Sequence, residues 1–269
     1  MAVRQQSVPV AERTTSQVQR ASRAGLAGLG ASLQTIGIIA LKELRTYFTS
    51  WMAYALIAVY LFIAGFIYWV VVGRMSHSLP LSPFFAELAI ILMFIVPLLT
   101  MRLLAEEKST GTVELLLTSP VTDWQVVLGK FFGVFGVHTV LVLLTAHFPI
   151  MLFKWGNVDK GIIWSSYLSL WLTGGIFLSI GLWASSLTDS QVVSGFLAFG
   201  VLLMLWLVNI FGFTMQNAFG EFCRHVSVLS HLEDMTSGVI DTKDLVYCVS
   251  VIGFFLFWAK QVLESRKWK

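Results

Sequence analysis

Six apolar runs of membrane-spanning length restrict what this chain can fold into. A helix needs about 20 mostly apolar residues to cross the hydrocarbon core of a bilayer, where no water can satisfy an exposed backbone N–H or C=O group. The sequence therefore predicts an all-α integral membrane protein with six transmembrane helices. The predicted spans are Trp51–Val72, Phe84–Met101, Phe131–Phe153, Ile162–Leu187, Val192–Met215 and Leu245–Lys260.

The composition excludes a soluble domain, because 57% of the residues are hydrophobic and 12% are charged, with a mean hydropathy of +0.78. Residues 1–31 are polar and lack the apolar core of about 7–15 residues that a signal peptide needs. They also show no helical periodicity. We predict that residues 1–31 form a disordered cytoplasmic tail and that residues 32–269 form one transmembrane domain.

The distribution of Lys and Arg predicts the orientation, since cytoplasmic loops carry the excess of these residues. With both termini inside, 13 of the 18 Lys and Arg residues lie on the cytoplasmic side. This pattern predicts a multi-pass protein with cytoplasmic N- and C-termini. The net charge of +3 is explained by basic ends beside anionic lipid, so the bilayer is the expected partner and nucleic acid is not.

An amphipathic helix is predicted over Ser32–Ser50, immediately before the first span. Its apolar residues recur at helical spacing, and Lys42, Glu43 and Arg45 lie on the other face. Such a helix lies along the membrane surface. Two roles are open at this point: a simple anchor, or an anchor that also contacts a cytoplasmic partner.

The segment 102–130 is charged and lies between two apolar spans. Glu106, Glu107 and Lys108 extend the second span as a helical turn, which Ser109-Thr110-Gly111 interrupts. Thr112 can then cap a short helix, Val113–Thr118, whose leucines are too apolar to face water on all sides.

Ser119-Pro120 ends that short helix, and Thr122 with Gln125 forms a capping box that begins the helix of the third span. A short helix held between two membrane helices can transmit a rigid-body displacement, because the hinges lie at its turns. The segment is therefore a candidate contact for a soluble partner. The alternative is a surface loop whose leucines pack on the bundle itself.

This segment resembles a pattern of ABC-2-type transporter permeases, E-E-K-x-x-G-T-x-E-x-L-L-x-[ST]-P followed by G-K-[FY]. The stretches Lys42–Tyr54 and Ser230–Phe257 also agree with that family, so the resemblance covers roughly residues 32–269. It is most similar to the gliding-motility-type permeases. The residues that match the pattern are Glu106, Glu107, Lys108, Gly111, Thr112, Glu114, Leu116, Leu117, Ser119, Pro120, Gly129 and Lys130.

The resemblance implies the membrane half of an exporter in a bacterial cytoplasmic (inner) membrane. This half has six helices and an elbow helix, and it pairs with a second identical or homologous permease. A separate ATP-binding subunit would bind the ATP and Mg, and this chain would bind no cofactor or metal of its own. An envelope auxiliary protein is a further possible partner. The residues assigned to ATPase coupling are Lys42, Glu43, Arg45, Glu106, Glu107, Lys108, Gly111, Thr112, Glu114, Leu116, Ser119 and Pro120.

Catalytic motifs do not occur in the sequence, which agrees with a permease rather than an enzyme. No G-x-x-x-x-G-K-[ST] loop is present, since the only Gly-Lys pair has Trp124 where that loop needs its first glycine. No His-Glu-x-x-His zinc motif occurs either. Two non-enzymatic alternatives stay open: an ion-driven secondary transporter, and a membrane anchor of an envelope or motility machine.

Polar residues inside the spans are candidates for an ion-coupling group, because lipid disfavours them. These are Glu87, His138, His147 and Asn209, and for each histidine we favour a packing hydrogen bond over proton transfer. We expect Pro97 and Pro149 to kink their spans. Small residues for close helix contacts occur at Gly129-x-x-x-Gly133 and at Ser165, Ser169, Thr173 and Gly175.

The long outer loop, residues 216–244, has Phe222, Val226, Leu229 and Leu232 at helical spacing. We predict one short helix that dips back into the outer leaflet, with a plain surface cover as the alternative. Cys223 and Cys248 both lie on the outer side in this topology, so a disulfide is possible, but two cysteines without geometry do not decide it.

Overall fold

The computed structural model describes residues 32–74, 82–111, 121–152, 160–215, 217–236, 238 and 241–265, and every regular element within them is a helix. The predicted tail and the predicted helix Val113–Thr118 lie outside these residues. The helices are α1 (32–49), α2 (Trp51–Arg74), α3 (Ser82–Thr100), α4 (Ala105–Ser109), α5 (Asp123–Thr145), α6 (His147–Leu152), α7 (Lys160–Leu187), α8 (Gln191–Thr214), α9 (Ala218–Val226), α10 (Val228–Thr236) and α11 (Thr242–Ser265).

Six of the helical stretches are long and apolar enough to cross a membrane, which confirms the predicted all-α membrane fold. The last stretch, Thr242–Ser265, is longer at both ends than the predicted Leu245–Lys260. The added residues are mostly polar, and a hydropathy criterion does not detect them. The helix therefore projects beyond its apolar core at each end.

Helix α7 is the centre of the bundle and packs against α3, α5, α8, α10 and α11. In the 18-residue apolar part of α7, 83% of the residues are buried inside the protein. The corresponding shares are 11% for α2, 22% for α8 and 17% for α11. Lipid provides little hydrophobic force between helices, so close contact depends on small side chains. Four of the predicted small residues are buried here: Ser165, Ser169, Thr173 and Gly175.

His138 on α5 shows how close these contacts are, because a Cβ added to Gly174 of α7 would lie 2.0 Å from its Nε2. The ring is fully buried and faces the backbone of Leu170 and Trp171 on α7. Packing against α7 therefore agrees with the role predicted for His138, and its hydrogen bond stays a prediction. For His147 it is confirmed, with Nδ1 2.6 Å from the Leu144 carbonyl oxygen. Glu87 is exposed.

A capping box sets the start of α5, and a proline sets its end. The capping box is confirmed: the Gln125 N–H donates to Thr122 Oγ1 at 3.4 Å, and the Thr122 N–H donates to Gln125 Oε1 at 2.9 Å. The helix begins at Asp123, ahead of the predicted start of the span at Phe131. It ends at Thr145, four residues before Pro149, which has no N–H for that carbonyl.

The loop after α8 forms two short helices, α9 and α10, rather than the single helix predicted for residues 216–244. Ser227 separates them in an extended conformation, and its hydroxyl donates to Asn209 Oδ1 of α8 at 2.9 Å. On the other side, His231 Nδ1 lies 2.6 Å from Asp244 Oδ1 of α11. These contacts join α9 and α10 to both flanking spans, α8 and α11. Cys223 and Cys248 are buried free thiols, not a disulfide.

Candidate coupling site

A glycine face on α5 holds the surface helix α1 in place. Gly129, Gly133 and Gly136 lie against α1, and a Cβ on Gly129 would meet the Ile39 Cβ at 2.6 Å. At Gly133 an added Cβ would lie 2.6 Å from the Glu43 Cβ and 3.1 Å from the Ala40 carbonyl oxygen. Real Cβ atoms do not approach this closely, so only glycine allows this crossing. Helix α1 is therefore seated on the bundle and does not merely rest on the membrane surface.

Lys130 lies one residue after Gly129 and connects three elements. Its Nζ is 2.8 Å from Glu43 Oε1 on α1 and 2.8 Å from Glu107 Oε1 on α4. The lysine is 1% exposed, whereas the Glu43 and Glu107 side chains are 12% and 19% exposed. One buried cation on α5 thus holds two carboxylates, one from α1 and one from α4.

The turn before α4 is fixed on α7. The Leu104 and Ala105 N–H groups both donate to Ser185 Oγ at 3.0 Å. Ser185 therefore caps α4 in place of its N-cap residue Leu104, which has no side-chain oxygen. The Lys108 ammonium group donates to the Ser186 carbonyl oxygen. Helix α4 is consequently attached to the central helix α7 as well as to Lys130.

Two further contacts complete the site. Arg102 and Glu106 form a two-point ion pair, with Nε to Oε2 at 3.0 Å and Nη2 to Oε1 at 3.3 Å. The Tyr47 hydroxyl of α1 donates to the Leu99 carbonyl oxygen of α3 at 2.5 Å. Burial, followed by the nearby Glu43 carboxylate, raises the pKa of Tyr47 far above its ordinary value. Tyr47 therefore remains a neutral donor at any physiological pH.

The predicted coupling residues divide into three groups. Glu43, Glu106, Glu107 and Lys108 come together around α4. Lys42 and Arg45 are exposed on α1, and Gly111 follows α4 with φ of +71°, the left-handed conformation that ends such a turn. The residues that lie outside the described part are Thr112, Glu114, Leu116, Ser119 and Pro120.

Three residues of the site were not assigned to it from the sequence: Lys130, Arg102 and Ser185. Lys130 matches the permease pattern, and a lysine at the start of an apolar span is itself a signal of a buried partner. Arg102 lies at i and i+4 with Glu106, a spacing that favours pairing. Ser185 carries no sequence signal, because its role depends on a contact with residues 80 and 81 positions away.

Comparison with known families agrees with this geometry. A family model described as "ABC-2 family transporter protein" matches residues 37–258. The chain belongs to the ABC-2 transporter family. The match begins within α1 and ends within α11, so it includes every residue of the candidate site. No curated protein sequence matches the chain.

Members of the ABC-2 family are the membrane components of transporters and are not themselves the catalytic part. For this ABC-2 protein the site contains charged and capping contacts and provides a mechanical connection between α1, α4, α5 and α7. Within the described ranges, no group of three or more His, Cys, Asp or Glu side chains is arranged to hold a metal ion.

Ser185 offers a direct test of how α4 is held. Ser185→Ala should lower the thermal stability of the detergent-solubilised protein by about 1–3 kcal/mol, because two buried N–H groups lose their acceptor. The matched control is Ser186→Ala, since the Ser186 hydroxyl donates only to the Trp183 carbonyl oxygen of its own helix. Equal losses in the two variants, measured by thermal unfolding, would show that Ser185 does not cap α4.

Proposed function

We propose that this ABC-2 protein is the permease half of an ATP-driven exporter, powered by a separate ATP-binding subunit that docks on α4 and the segment after it. The observation that carries the proposal is the Lys130 linkage, which joins α4 to α1 and α5. A soluble subunit that moves α4 would therefore move α1 and the third span with it. Rigid-body displacement about hinges is how such motion spreads.

The residues exposed at the end of α4 and on α1 agree with the docking of a soluble subunit. Ser109, Thr110 and Gly111 are exposed at the end of α4, and Lys42 and Arg45 are exposed on α1. The ion pairs of Lys130 with Glu43 and Glu107 lie behind this surface. A partner would thus contact the turn and the outer face of α1, while the buried charges transmit the displacement.

The finer parts of the proposal follow from the family and from the charge distribution. The docking face is cytoplasmic, the membrane is the bacterial inner membrane, and both termini are inside. ATP and Mg bind in the partner subunit. A second copy or a homologous permease completes the pathway, and the gliding-motility-type permeases are the proposed subfamily. An envelope auxiliary protein fits the same arrangement.

Site-specific cross-linking tests the docking face. A photoactivatable residue placed at Ser109 in the full chain should capture an ATP-binding subunit in native membranes, because this side chain is exposed at the end of α4. The adduct is identified by mass spectrometry through peptides that contain a G-x-x-x-x-G-K-[ST] loop.

The matched control places the same photoactivatable residue at Phe222 of α9, which is 65% exposed at the other end of the bundle. It should capture no ATP-binding subunit. Failure of the Ser109 probe in a folded, membrane-inserted protein would overturn the ATP-driven proposal. Transport that stops when the ion gradient is dissipated, with ATP intact, would then favour a secondary transporter.

A further inference from the structure

A histidine and a buried aspartate join α10 to the first turn of α11. His231 Nδ1 lies 2.6 Å from Asp244 Oδ1. The Asp244 side chain is fully buried, and its second oxygen, Oδ2, has no hydrogen-bond partner within the described ranges. The His231 side chain is 15% exposed, so its ring can exchange a proton with water. Asp244 is thus a buried carboxylate whose neighbouring ring can carry the compensating charge.

Both ring nitrogens of His231 face oxygen acceptors. While Nδ1 faces the Asp244 carboxylate, Nε2 lies 3.3 Å from the His225 carbonyl oxygen of α9. A neutral imidazole carries one N–H, whereas the imidazolium carries two. Only the imidazolium can donate to both oxygens, because the neutral ring would turn a lone pair towards one of them. The geometry of this contact therefore fits the protonated form of His231.

An aromatic ring beside His231 also favours a cation. Tyr247 of α11 stacks on the imidazole with ring centroids 4.1 Å apart, and its hydroxyl donates to the Val226 carbonyl oxygen of α9 at 2.6 Å. The face of an aromatic ring attracts a positive charge. The tyrosine thus supports the charged imidazole from the side opposite to solvent-independent pairing with Asp244, and its hydroxyl adds a second contact between α9 and α11.

The other titratable side chains around α10 form no ion pair with His231 within the described ranges. Helix α8 also packs against α10, but it carries no titratable side chain. The groups at this end of the bundle are Glu87 of α3, Lys160 and Tyr167 of α7, Glu221, Cys223, Arg224 and His225 of α9, and Lys243, Tyr247 and Cys248 of α11. The charge of the contact between α10 and α11 therefore depends on His231 and Asp244.

We propose that His231 is a proton-dependent latch, which holds α10 on α11 when its ring is protonated and releases α10 when the proton is lost. At low pH the imidazolium pairs with the Asp244 carboxylate. At high pH the carboxylate would stay buried without a cation, and a buried charge without its partner is strongly destabilising. The contact is therefore present at low pH and is lost as the pH rises. Histidine is the side chain whose charge ordinarily changes between pH 5 and 8.

Neutral contacts of α10 limit what the latch can move. Ser82 Oγ of α3 donates to the Thr236 carbonyl oxygen at 3.0 Å, and Ser169 Oγ of α7 donates to the Leu232 carbonyl oxygen at 3.5 Å. These hydrogen bonds carry no charge and do not respond to pH. Release would therefore tilt α9 and the start of α10 away from α11, while the end of α10 stays in place. The inference rests on the proposed function only for placing this end of the bundle on the outer side.

Distances between two spin labels test the latch on the full chain in detergent. The labels are attached at pH 6 to Phe222→Cys on α9 and Val246→Cys on α11, where the native side chains are 65% and 59% exposed. Both native cysteines are buried, so the reagent reaches the introduced ones. Double electron–electron resonance should give one narrow distance at pH 6 and a longer, broader one at pH 8, since the ratio of protonated to neutral imidazole falls about a hundredfold. An unchanged distance would overturn the latch.

Asp244→Asn should give the longer distance at both pH values, because it removes the charge that holds the imidazolium. The matched control is His225→Gln, which keeps the backbone carbonyl that His231 faces. The His225 ring is exposed, and its Nδ1 lies 2.9 Å from the Glu221 carbonyl oxygen of its own helix. This variant should keep the pH response of the unmodified protein. A pH response that persisted in Asp244→Asn would place the sensor elsewhere and reject the proposal.

Nitrogen NMR of the unmodified protein with ¹⁵N-labelled histidine tests the protonation directly, even if Asp244→Asn does not fold. Single histidine substitutions assign the resonances. Both ring nitrogens of His231 should carry a proton at pH 6, and one should lose it by pH 8. A neutral His231 ring at pH 6 would contradict the latch. Neither measurement includes an ATP-binding subunit, so either failure would leave the docking proposal untouched.

Discussion

Replacing Lys130 with methionine is expected to destabilise the protein by about 3–5 kcal/mol, the cost of leaving a buried charge without its partner. Methionine keeps much of the apolar length of the lysine side chain. In the unmodified protein, the Glu43 and Glu107 carboxylates each lie 2.8 Å from Lys130 Nζ. The substitution removes this cation and leaves the two carboxylates facing each other across the site. Their repulsion should push α1 away from α4.

The measurement is thermal unfolding of the detergent-solubilised variant, followed by tryptophan fluorescence. The matched control is the triple variant Lys130→Met/Glu43→Gln/Glu107→Gln, which removes all three charges together. A buried ion network can often be replaced by neutral residues at little cost, so the triple variant should recover most of the lost stability. A triple variant as unstable as Lys130→Met would show that packing, and not charge, is what the lysine provides.

The two variants also separate stability from coupling. If charge attraction transmits motion from α4 to α1, the triple variant should fold and insert but should fail to couple the partner's ATP hydrolysis to transport. Recovery of stability together with function would mean that the glycine contacts alone carry the motion. The ion pairs would then serve only to satisfy buried charge.

The membrane fold could be predicted from sequence because its main constraint is local. Each span must satisfy its own backbone hydrogen bonds in lipid, so hydropathy over about 20 residues detects it. The start of α5 could also be predicted from the sequence, since a capping box needs only Thr122 and Gln125. Likewise, Gly111 ends α4 with a positive φ, as the interruption at Ser109-Thr110-Gly111 suggested.

The site itself depends on contacts that sequence patterns do not reveal. Lys130 is separated by 87 residues from Glu43 and by 23 from Glu107, and no periodicity relates the three. For His138 the sequence favoured a packing role over proton transfer, and the structure places its ring against Gly174 of α7. The polarity of the side chain did not reveal its neighbour, because the close approach of α5 and α7 depends on a glycine 36 residues away.

Three kinds of contact make α1, α4 and α5 a single mechanical unit. Glycines allow α1 to cross α5 closely, Lys130 joins both helices to α4, and Ser185 fixes the start of α4 on α7. Small residues alone are common in membrane helices and determine no partner. Here the crossing brings Glu43 to within bonding distance of Lys130. The close packing and the charge pairing therefore depend on each other.

Gly133→Leu is expected to separate α1 from α5 and to break the Glu43 to Lys130 ion pair as a consequence. Even the Cβ would lie 2.6 Å from the Glu43 Cβ and 3.1 Å from the Ala40 carbonyl oxygen, so the backbone of α1 must move. Overpacking of a tight contact costs about 1–3 kcal/mol, and the loss of one partner of a buried lysine adds to it. The stability loss should therefore exceed that of Ser185→Ala.

The control is Gly253→Leu in α11, a helical glycine with no atom within 4 Å of an added Cβ. Both substitutions raise helix propensity by a similar amount, so their difference isolates the effect of the contact. Protease accessibility of α1, probed in the intact protein, should rise in Gly133→Leu and stay unchanged in Gly253→Leu. If α1 stayed protected in both variants, the glycine face would not be what seats this helix, and the Lys130 linkage would have to hold it alone.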